Sequence, residues 1–221
     1  MRVIAVIPAY NEESTILEVI KQVLPKVTEV IVVDDGSKDN TRRLVKKAGV
    51  TVVSHAINRG LGAALSTGFV AAEILKADVV VTLDADGQHD PEELNRLVKA
   101  IEAGADVVIG SRMIDHKGMP WYRVLAQMLG NTATFILFGA WVTDSQSGFR
   151  AFKIEALKKM HLHTNRMEIS SEIVAEIKRA GLYLVEVPIT AIYTDYSLSK
   201  GQSWLVGLKT LIKLVIRRLT L

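Results

Sequence analysis

Two carboxylates and a carboxamide follow a run of apolar residues near the middle of the chain, in the segment Val79–Gln88. Asp84, Asp86 and Gln88 are each two residues apart, so in an extended chain their side chains point to the same side. Hard divalent cations such as Mg²⁺ or Mn²⁺ bind carboxylate and amide oxygens and keep positions open for substrate phosphates. The spacing indicates a metal and diphosphate site, although a solvated acidic turn after a strand has the same composition.

The elements that must position these residues alternate along the first half of the chain between β-branched runs and helical patterns. The predicted strands are Arg2–Ile7, Glu29–Val33, Thr51–Ser54, Asp78–Leu83 and Asp106–Ile109. The predicted helices are Ser14–Leu24, Thr41–Ala48, Leu61–Leu75 and Pro91–Glu102. This alternation predicts an α/β domain, with a mainly parallel sheet flanked by helices.

Polar clusters follow four of the predicted strands, at the carboxyl ends where open α/β sheets bind their ligands. The clusters are Pro8–Glu12, Asp34–Ser37, Asn58–Gly60 and Asp84–Asp86. Tyr10 offers a surface for a nucleobase, and Asp35 offers an acceptor for base or ribose donors. Taken singly, Tyr10 fits simple packing and Asp35 fits a turn or cap equally well. Their joint placement predicts a nucleotide crevice.

Six motifs, PAYNE, VVDDGS, NRGLGAA, DADGQHDPEEL, GSR and SGFRAF, occur in the order and approximate spacing of family 2 glycosyltransferases with the GT-A fold. The match covers nearly the whole chain, which most resembles the dolichol-phosphate mannose synthase and polyprenyl-phosphate glycosyltransferase branch. The resemblance implies a Rossmann-like sheet and inverting transfer of a hexose from GDP-mannose or a UDP-hexose. It also implies a Mg²⁺ or Mn²⁺ ion held by Asp84, Asp86 and Gln88.

The resemblance further assigns roles to individual residues. Those implied to bind the nucleotide sugar are Pro8, Tyr10, Glu12, Val33, Asp35, Asp84, Ala85, Asp86 and Lys200. Arg112 and Lys200 occupy positions expected near phosphates, and Arg112 and Arg123 are candidates to bind an acceptor phosphate as bidentate donors. The implied catalytic residues are Asp86, Asp144 and Arg112, with Asp144 on the acceptor side.

Two acceptor classes fit this site. A lipid phosphate is already an anion near neutral pH and needs mainly positioning and charge compensation, whereas a sugar hydroxyl needs a general base, for which Asp144 is the candidate. Gln127 stands where the mannose synthases carry a hydroxyl, so the pattern departs from theirs here. We expect a polyprenyl or dolichyl phosphate, with glycan extension as the alternative. A sugar-phosphate nucleotidyltransferase is less favoured, because Pro8–Glu12 is not a Gly-rich basic loop.

Residues 1–112 form the predicted nucleotide-sugar half of the domain and residues 113–200 the acceptor half. Within the second half, Trp121–Val142 is apolar but interrupted by Gln127 and Asn131. These interruptions favour helices that lie against a bilayer interface, or that pack on the sheet, over a membrane span.

Residues 201–221 have apolar side chains at helical spacing and a parallel basic stripe. The stripe is formed by Lys209, Lys213 and Arg217. This pattern predicts a basic amphipathic helix, either on an anionic membrane surface or packed on the domain with its basic face in solvent.

Composition excludes several classes. There is no cysteine, so neither disulfides nor thiolate metal sites contribute. The apolar run before Pro8 is too short for a signal peptide. The formal net charge is +3, but no nucleic-acid motif accompanies it and the crevice is acidic, which excludes nucleic acid as a partner. We expect a peripheral protein on the cytoplasmic face of a membrane, alone or with a membrane-embedded partner protein.

Overall fold

A single mixed sheet of seven strands forms the centre of the protein, whose computed structural model describes residues 1–115, 119, 121–190 and 192. The strands are β1 (Val3–Ala9), β2 (Glu29–Asp34), β3 (Thr51–Ser54), β4 (Val79–Thr82), β5 (Val107–Ser111), β6 (Arg150–Lys153) and β7 (Leu184–Pro188). The α-helices are α1 (Ile16–Val23), α2 (Thr41–Lys47), α3 (Leu61–Ile74), α4 (Leu94–Glu102), α5 (Trp121–Phe138), α6 (Ile154–Lys159) and α7 (Ile169–Arg179). Two short 3-10 turns span Leu24–Lys26 and Pro91–Glu93.

The strand order is β3-β2-β1-β4-β6-β5-β7, and every neighbouring pair is parallel except those that include β6. The five predicted strands match β1 to β5 within two residues at each end, so the predicted mainly parallel α/β sheet is confirmed. Strands β6 and β7 were not predicted. The helix predicted from Pro91 begins as a 3-10 turn, with the Asp90 carboxylate accepting from Glu92 N at 2.9 Å.

The central strands read as continuous apolar runs because both faces of the sheet are covered. In β1, Ala5 and Ile7 pack under α1, α2 and α4, whereas Ile4 and Val6 pack under α3, α6 and α7. On the second face, Gly68 of α3 lies directly on β1, where an added Cβ would be 2.2 Å from Val6 Cγ1. The core therefore lies in two layers, one on each side of the sheet.

Helix α5 differs from the helices that pack on the sheet through apolar residues, because its buried face is polar and its apolar residues are exposed. Of its 18 residues, the buried ones are Asn131 and Thr134. The large apolar side chains that are exposed on it are Trp121, Tyr122, Leu125, Met128, Leu129, Phe135 and Ile136. The helix predicted in this segment is therefore present, with its apolar side turned outward.

None of the described helices combines the length and apolar character needed to cross a membrane. The predicted C-terminal helix at 201–221, Lys200 and the boundary between residues 200 and 201 lie outside the described residues.

Candidate active site

The loops after β1 and β2 are joined to each other by hydrogen bonds between main chain and side chain. Asn11, which has a positive φ of 56°, donates its N–H to Ser37 Oγ at 3.0 Å, and Glu12 N donates to Thr41 Oγ1 at 2.8 Å. Tyr10 directly precedes Asn11 and is 38% exposed. The two predicted nucleoside-binding residues of this loop, Tyr10 and Glu12, therefore lie beside the loop that carries Asp35.

Asp35 is buried and binds the next loop of the crevice. Its carboxylate accepts from Arg59 N at 2.9 Å, from Gly60 N at 2.7 Å and from the ring Nδ1 of His55 at 2.6 Å. The other ring nitrogen of His55 lies 2.9 Å from Thr67 Oγ1 on α3. The Asn58–Gly60 segment is thus fixed to Asp35, not a free surface turn.

Three of the predicted nucleotide-binding residues have little free side-chain surface. Val33 is fully buried beneath α3, and Ala85 is buried on the opposite face of the sheet, so either would contact a nucleotide through its main chain. Pro8 is half-buried and lines a small cavity behind Asp84. Of the predicted nucleoside-binding residues at this edge, Tyr10, Glu12 and Asp35 thus have polar side chains, whereas Val33, Ala85 and Pro8 do not.

Asp84, Asp86 and Gln88 follow the end of β4, but the chain turns at Ala85 and Asp86 and does not stay extended, as the spacing argument assumed. The Asp86 carboxylate accepts from Gln88 N at 3.0 Å and from Gln88 Nε2 at 2.6 Å. Nε2 of the buried His89 lies 3.1 Å from Asp84 Oδ2, and the His89 ring packs on Phe149. His89 therefore helps to fix the position of the Asp84 carboxylate.

The two carboxylates have opposite pKa shifts. Desolvation acts to raise the pKa of Asp84, but the hydrogen bond from His89 and the nearby positive charges of Arg112 and Arg150 hold it below its usual value. Desolvation and then the charge of Asp84 raise the pKa of Asp86. The negative charge of Asp86 is therefore under-compensated.

The motif SGFRAF supplies a backbone contact to Asp84 that only glycine permits. A Cβ added to Gly148 would lie 2.5 Å from Asp84 Oδ2 and 2.6 Å from Oδ1. The motif loop is held by the buried Arg150, whose guanidinium donates to the carbonyls of Ser147 at 2.8 Å, Ser145 at 2.7 Å and Ser170 at 3.3 Å. Burial lowers the pKa of Arg150 to about 10, so the group stays charged at neutral pH.

On the acceptor side, Asp144 and Arg112 form a bidentate ion pair. Arg112 Nε donates to Asp144 Oδ2 at 2.7 Å and Nη2 donates to Oδ1 at 2.9 Å, while the Arg112 main-chain N–H also donates to Oδ2 at 3.1 Å. Gln127 Nε2 donates to Oδ1 at 2.6 Å. Asp144 is fully buried and Arg112 retains 20% side-chain exposure, so the pair presents its cation to the crevice.

Gln127 belongs to one polar face of α5. Arg123, Gln127, Asn131 and Thr134 recur every three or four residues, so they share that face. Asn131 Oδ1 accepts from the N–H and the hydroxyl of Ser145, both at 2.9 Å, and Asn131 Nδ2 donates to Thr143 O. The helix is thereby fixed to the loop that carries Asp144, and Arg123 is half-buried at the start of the same face.

Glu172 of α7 fixes a loop that lies beside α3. It is buried and accepts from His163 N and Thr164 N, both at 2.8 Å, and also from the Thr164 hydroxyl. The same loop packs against α3, where Asn165 O accepts from Ala63 N at 3.1 Å. Glu172 thus shapes a loop beside NRGLGAA.

Sequence reasoning missed two buried residues of the site, His55 and Arg150. Arg150 had a signal, since it lies within SGFRAF, but the motif does not say that its guanidinium binds three carbonyls. His55 had none, because a single histidine after a strand is common. Both were found only through contacts between distant segments.

Comparison with known proteins identifies the family. The sequence profile described as "Glycosyl transferase family 2" matches residues 4–160. The chain belongs to this family. A UDP-N-acetylglucosamine--dolichyl-phosphate N-acetylglucosaminyltransferase of Methanococcus voltae is 36% identical over 97% of this chain and 95% of its own. A polyprenol monophosphomannose synthase of Mycolicibacterium smegmatis is 34% identical over 90% of this chain and 80% of its own.

Among solved structures, a glucosyl-3-phosphoglycerate synthase of Mycobacterium tuberculosis, in complex with Mn²⁺, UDP-glucose and phosphoglyceric acid, has a TM-score of 0.74. It is 22% identical and aligns over 98% of this chain and 79% of its own. At that identity the likeness concerns the fold, which is the GT-A arrangement expected of family 2 glycosyltransferases.

Replacing Gly148 by Ala is expected to lower kcat/KM for glycosyl transfer by about 100-fold, because the new Cβ would displace the Asp84 carboxylate. Steady-state kinetics, with the unfolding midpoint measured in parallel, test this. Gly130→Ala is the matched control, since its Cβ would meet only Gln146 Cγ at 4.0 Å. A Gly148→Ala enzyme with the wild-type rate would contradict the importance of this contact.

Proposed function

We propose that the protein is an inverting glycosyltransferase that moves a hexose from a nucleotide diphosphate sugar to a polyprenyl or dolichyl phosphate at a membrane surface. One observation carries the proposal. The Arg112 guanidinium is fixed by the buried Asp144, and Asp144 is held by α5, whose opposite side is apolar and exposed. A site for an anion therefore adjoins a surface suited to lipid. The two relatives described above, named for dolichyl-phosphate and polyprenol substrates, support this acceptor class.

We assign the divalent cation, Mg²⁺ or Mn²⁺, to Asp84, Asp86 and Gln88. The raised pKa of Asp86 marks a carboxylate in need of a positive neighbour, and the carboxylate and amide oxygens are hard ligands. Two carboxylates and one amide would leave positions on the cation for phosphate oxygens of the donor. When bound, it would neutralise charge on the leaving nucleoside diphosphate.

The protein's own groups would bind and orient the reactants. Tyr10, Glu12 and Asp35 would hold the nucleoside, and Arg112, with Arg123, would bind the acceptor phosphate and compensate its charge. A phosphate monoanion or dianion attacks without losing a proton, so no general base is required. Asp144 would act by holding Arg112 in place. The role of Lys200 near a phosphate stays a prediction.

Glycan extension is less well supported. It would need Asp144 as the base for a sugar hydroxyl, but Asp144 is fully buried and both of its oxygens already accept from Arg112 and Gln127. A carboxylate in that state has little freedom to take a proton from a substrate. A sugar-phosphate nucleotidyltransferase is not supported by the family match.

The exposed side of α5 would lie in the membrane interface. Its most exposed residues include Trp121 at 77%, Leu129 at 64% and Ile136 at 73%, and the Trp121 and Tyr122 rings contact each other edge to face. Aromatic and leucine side chains on one side of a helix are typical of interfacial helices. Attachment to the cytoplasmic face of the membrane, aided by the 201–221 segment, is part of the proposal. The relatives' names give no support to a membrane-embedded partner protein.

The proposed reaction is tested by combining UDP-hexoses or GDP-hexoses with polyprenyl phosphate or an oligosaccharide, in Mn²⁺ or in EDTA. We expect lipid-linked sugar only with polyprenyl phosphate and only with the metal, detected by chromatography of radiolabelled product. Equal product in EDTA would remove the metal assignment. Product formed only on oligosaccharide would establish glycan extension instead.

Replacing Asp86 by Asn is expected to reduce turnover by at least about 100-fold while leaving the unfolding midpoint unchanged or raised. The raised pKa means that the folded state disfavours the charged carboxylate at neutral pH, so a neutral side chain relieves that cost. Asp106→Asn is the control, because its expected effect on stability has the opposite sign. The hydrogen bond from Tyr183 N lowers the Asp106 pKa, so its neutral replacement is expected to reduce stability and leave the rate unchanged. Wild-type turnover in Asp86→Asn would exclude it from the site.

Introducing glutamate at both Leu129 and Ile136 is expected to abolish binding to anionic lipid vesicles, since charges replace side chains that would enter the interface. Turnover on vesicle-borne polyprenyl phosphate should fall about tenfold or more, whereas turnover on a short, water-soluble prenyl phosphate should not change. Ile74→Glu is the matched control, because Ile74 is also 73% exposed but lies on α3. Unaltered vesicle binding by the double variant would exclude α5 as the membrane surface.

A further inference from the structure

The Asp35 carboxylate is almost saturated by the protein itself. An ionised carboxylate offers about four acceptor positions, two on each oxygen. Oδ1 accepts from His55 Nδ1 at 2.6 Å and from Arg59 N at 2.9 Å, and Oδ2 accepts from Gly60 N at 2.7 Å. With these donors from the described part of the chain in place, one acceptor position remains, and it is on Oδ2.

His55 is the side chain that fixes this arrangement. Its ring is buried, with 7% side-chain exposure, and both ring nitrogens are bonded, Nδ1 to Asp35 and Nε2 to Thr67 Oγ1 at 2.9 Å. Because a carboxylate only accepts, Nδ1 carries the hydrogen. The ring cannot turn away from Asp35 without breaking both bonds. Oδ1 is therefore unavailable to a ligand while His55 stays in place.

Nucleobases differ in the number of donors that they offer to such a group. Uracil presents one N–H, at N3, between two carbonyl oxygens. Guanine presents two adjacent donors, N1–H and the N2 amino group, which match a carboxylate with a free position on each oxygen. Cytosine has an N4 amino donor beside an acceptor at N3, so when its N3 edge faces the carboxylate it places lone pair against lone pair. A donor left unpaired in a closed site is costly, so these differences separate the bases.

We infer that Asp35, held by His55, makes the donor site selective for uracil nucleotides, so that the sugar donor is a UDP-sugar and not GDP-mannose. The inference rests on the proposed function, in which Asp35 contacts the nucleobase. His55 acts as a positioning residue through Asp35. Its bond leaves a single acceptor position, which one N–H fills completely.

Calorimetric titration of the full-length protein with UDP, GDP and CDP, each with Mn²⁺, tests the selectivity directly. We expect UDP to bind at least about tenfold more tightly than GDP or CDP, equivalent to about 1.4 kcal/mol. The same order is expected for the three nucleotides as inhibitors of glycosyl transfer. GDP binding as tightly as UDP, or more tightly, would overturn the inference and leave the proposed reaction intact. No binding by any of the three would overturn both.

His55→Leu tests the positioning role, since leucine cannot donate to Asp35 and an acceptor position on Oδ1 becomes free. The ratio of GDP to UDP dissociation constants is expected to fall at least about threefold toward unity, and KM for the UDP-sugar is expected to rise more than kcat falls. A purely structural role would lower the unfolding midpoint without changing the ratio. His161→Asn is the matched control, because His161 is exposed and outside the crevice.

Thr67→Val is a second variant that tests the role of His55 without removing the histidine. The change removes the hydrogen bond to Nε2 of His55 but leaves the bond from Nδ1 to Asp35 possible. The ratio of GDP to UDP dissociation constants is therefore expected to fall, but less than in His55→Leu. Unchanged ratios in both folded variants would overturn the role of His55.

Discussion

The carboxylates at one edge of the sheet, of which Asp35 and Asp144 are buried and Asp84 is partly exposed, require donors, and meeting that requirement organises the crevice. A buried charge is costly unless it is paired and hydrogen-bonded. Asp35 takes main-chain N–H groups from the loop after β3, and Asp144 takes a guanidinium from the end of β5. Asp84 takes His89 and lies near Arg112 and Arg150. Each carboxylate therefore fixes a loop that is distant in sequence.

Asp86 is the exception, since desolvation and the negative charge of Asp84 raise its pKa above the usual value. Its neighbour Asp84 is compensated by the surrounding cations, whereas Asp86 has hydrogen bonds from Gln88 alone among the contacts described. This contrast between adjacent carboxylates leaves the unbalanced negative charge on Asp86. The negative charge of Asp84, in contrast, is already compensated by side chains of the protein.

The sequence allowed much of the fold and the residue types of the site to be predicted, but few of the pairings. Strands β1, β2, β4 and β5 follow from apolar runs buried on both faces, and the partly buried edge strand β3 follows from its β-branched residues, whereas β6, with the short sequence RAFK, has no such pattern. Motifs placed Asp35 and Asp144 at the crevice. Their partners His55 and Arg112 are 20 and 32 residues away, so those bonds depend on tertiary arrangement that local patterns do not encode. The polar face of α5 was readable from its spacing.

The end of β5 and the start of the SGFRAF loop are joined twice, by Ser111 Oγ and Thr143 Oγ1 at 2.6 Å and by the Arg112 to Asp144 pair. The described residues between them, 113–115, 119 and 121–142, belong to none of the seven strands. The segment is therefore an insertion whose two ends are held together. Its length and surface can change without shifting the register of the strands. Divergence of this insertion would change the exposed surface of α5 while the sheet stays the same.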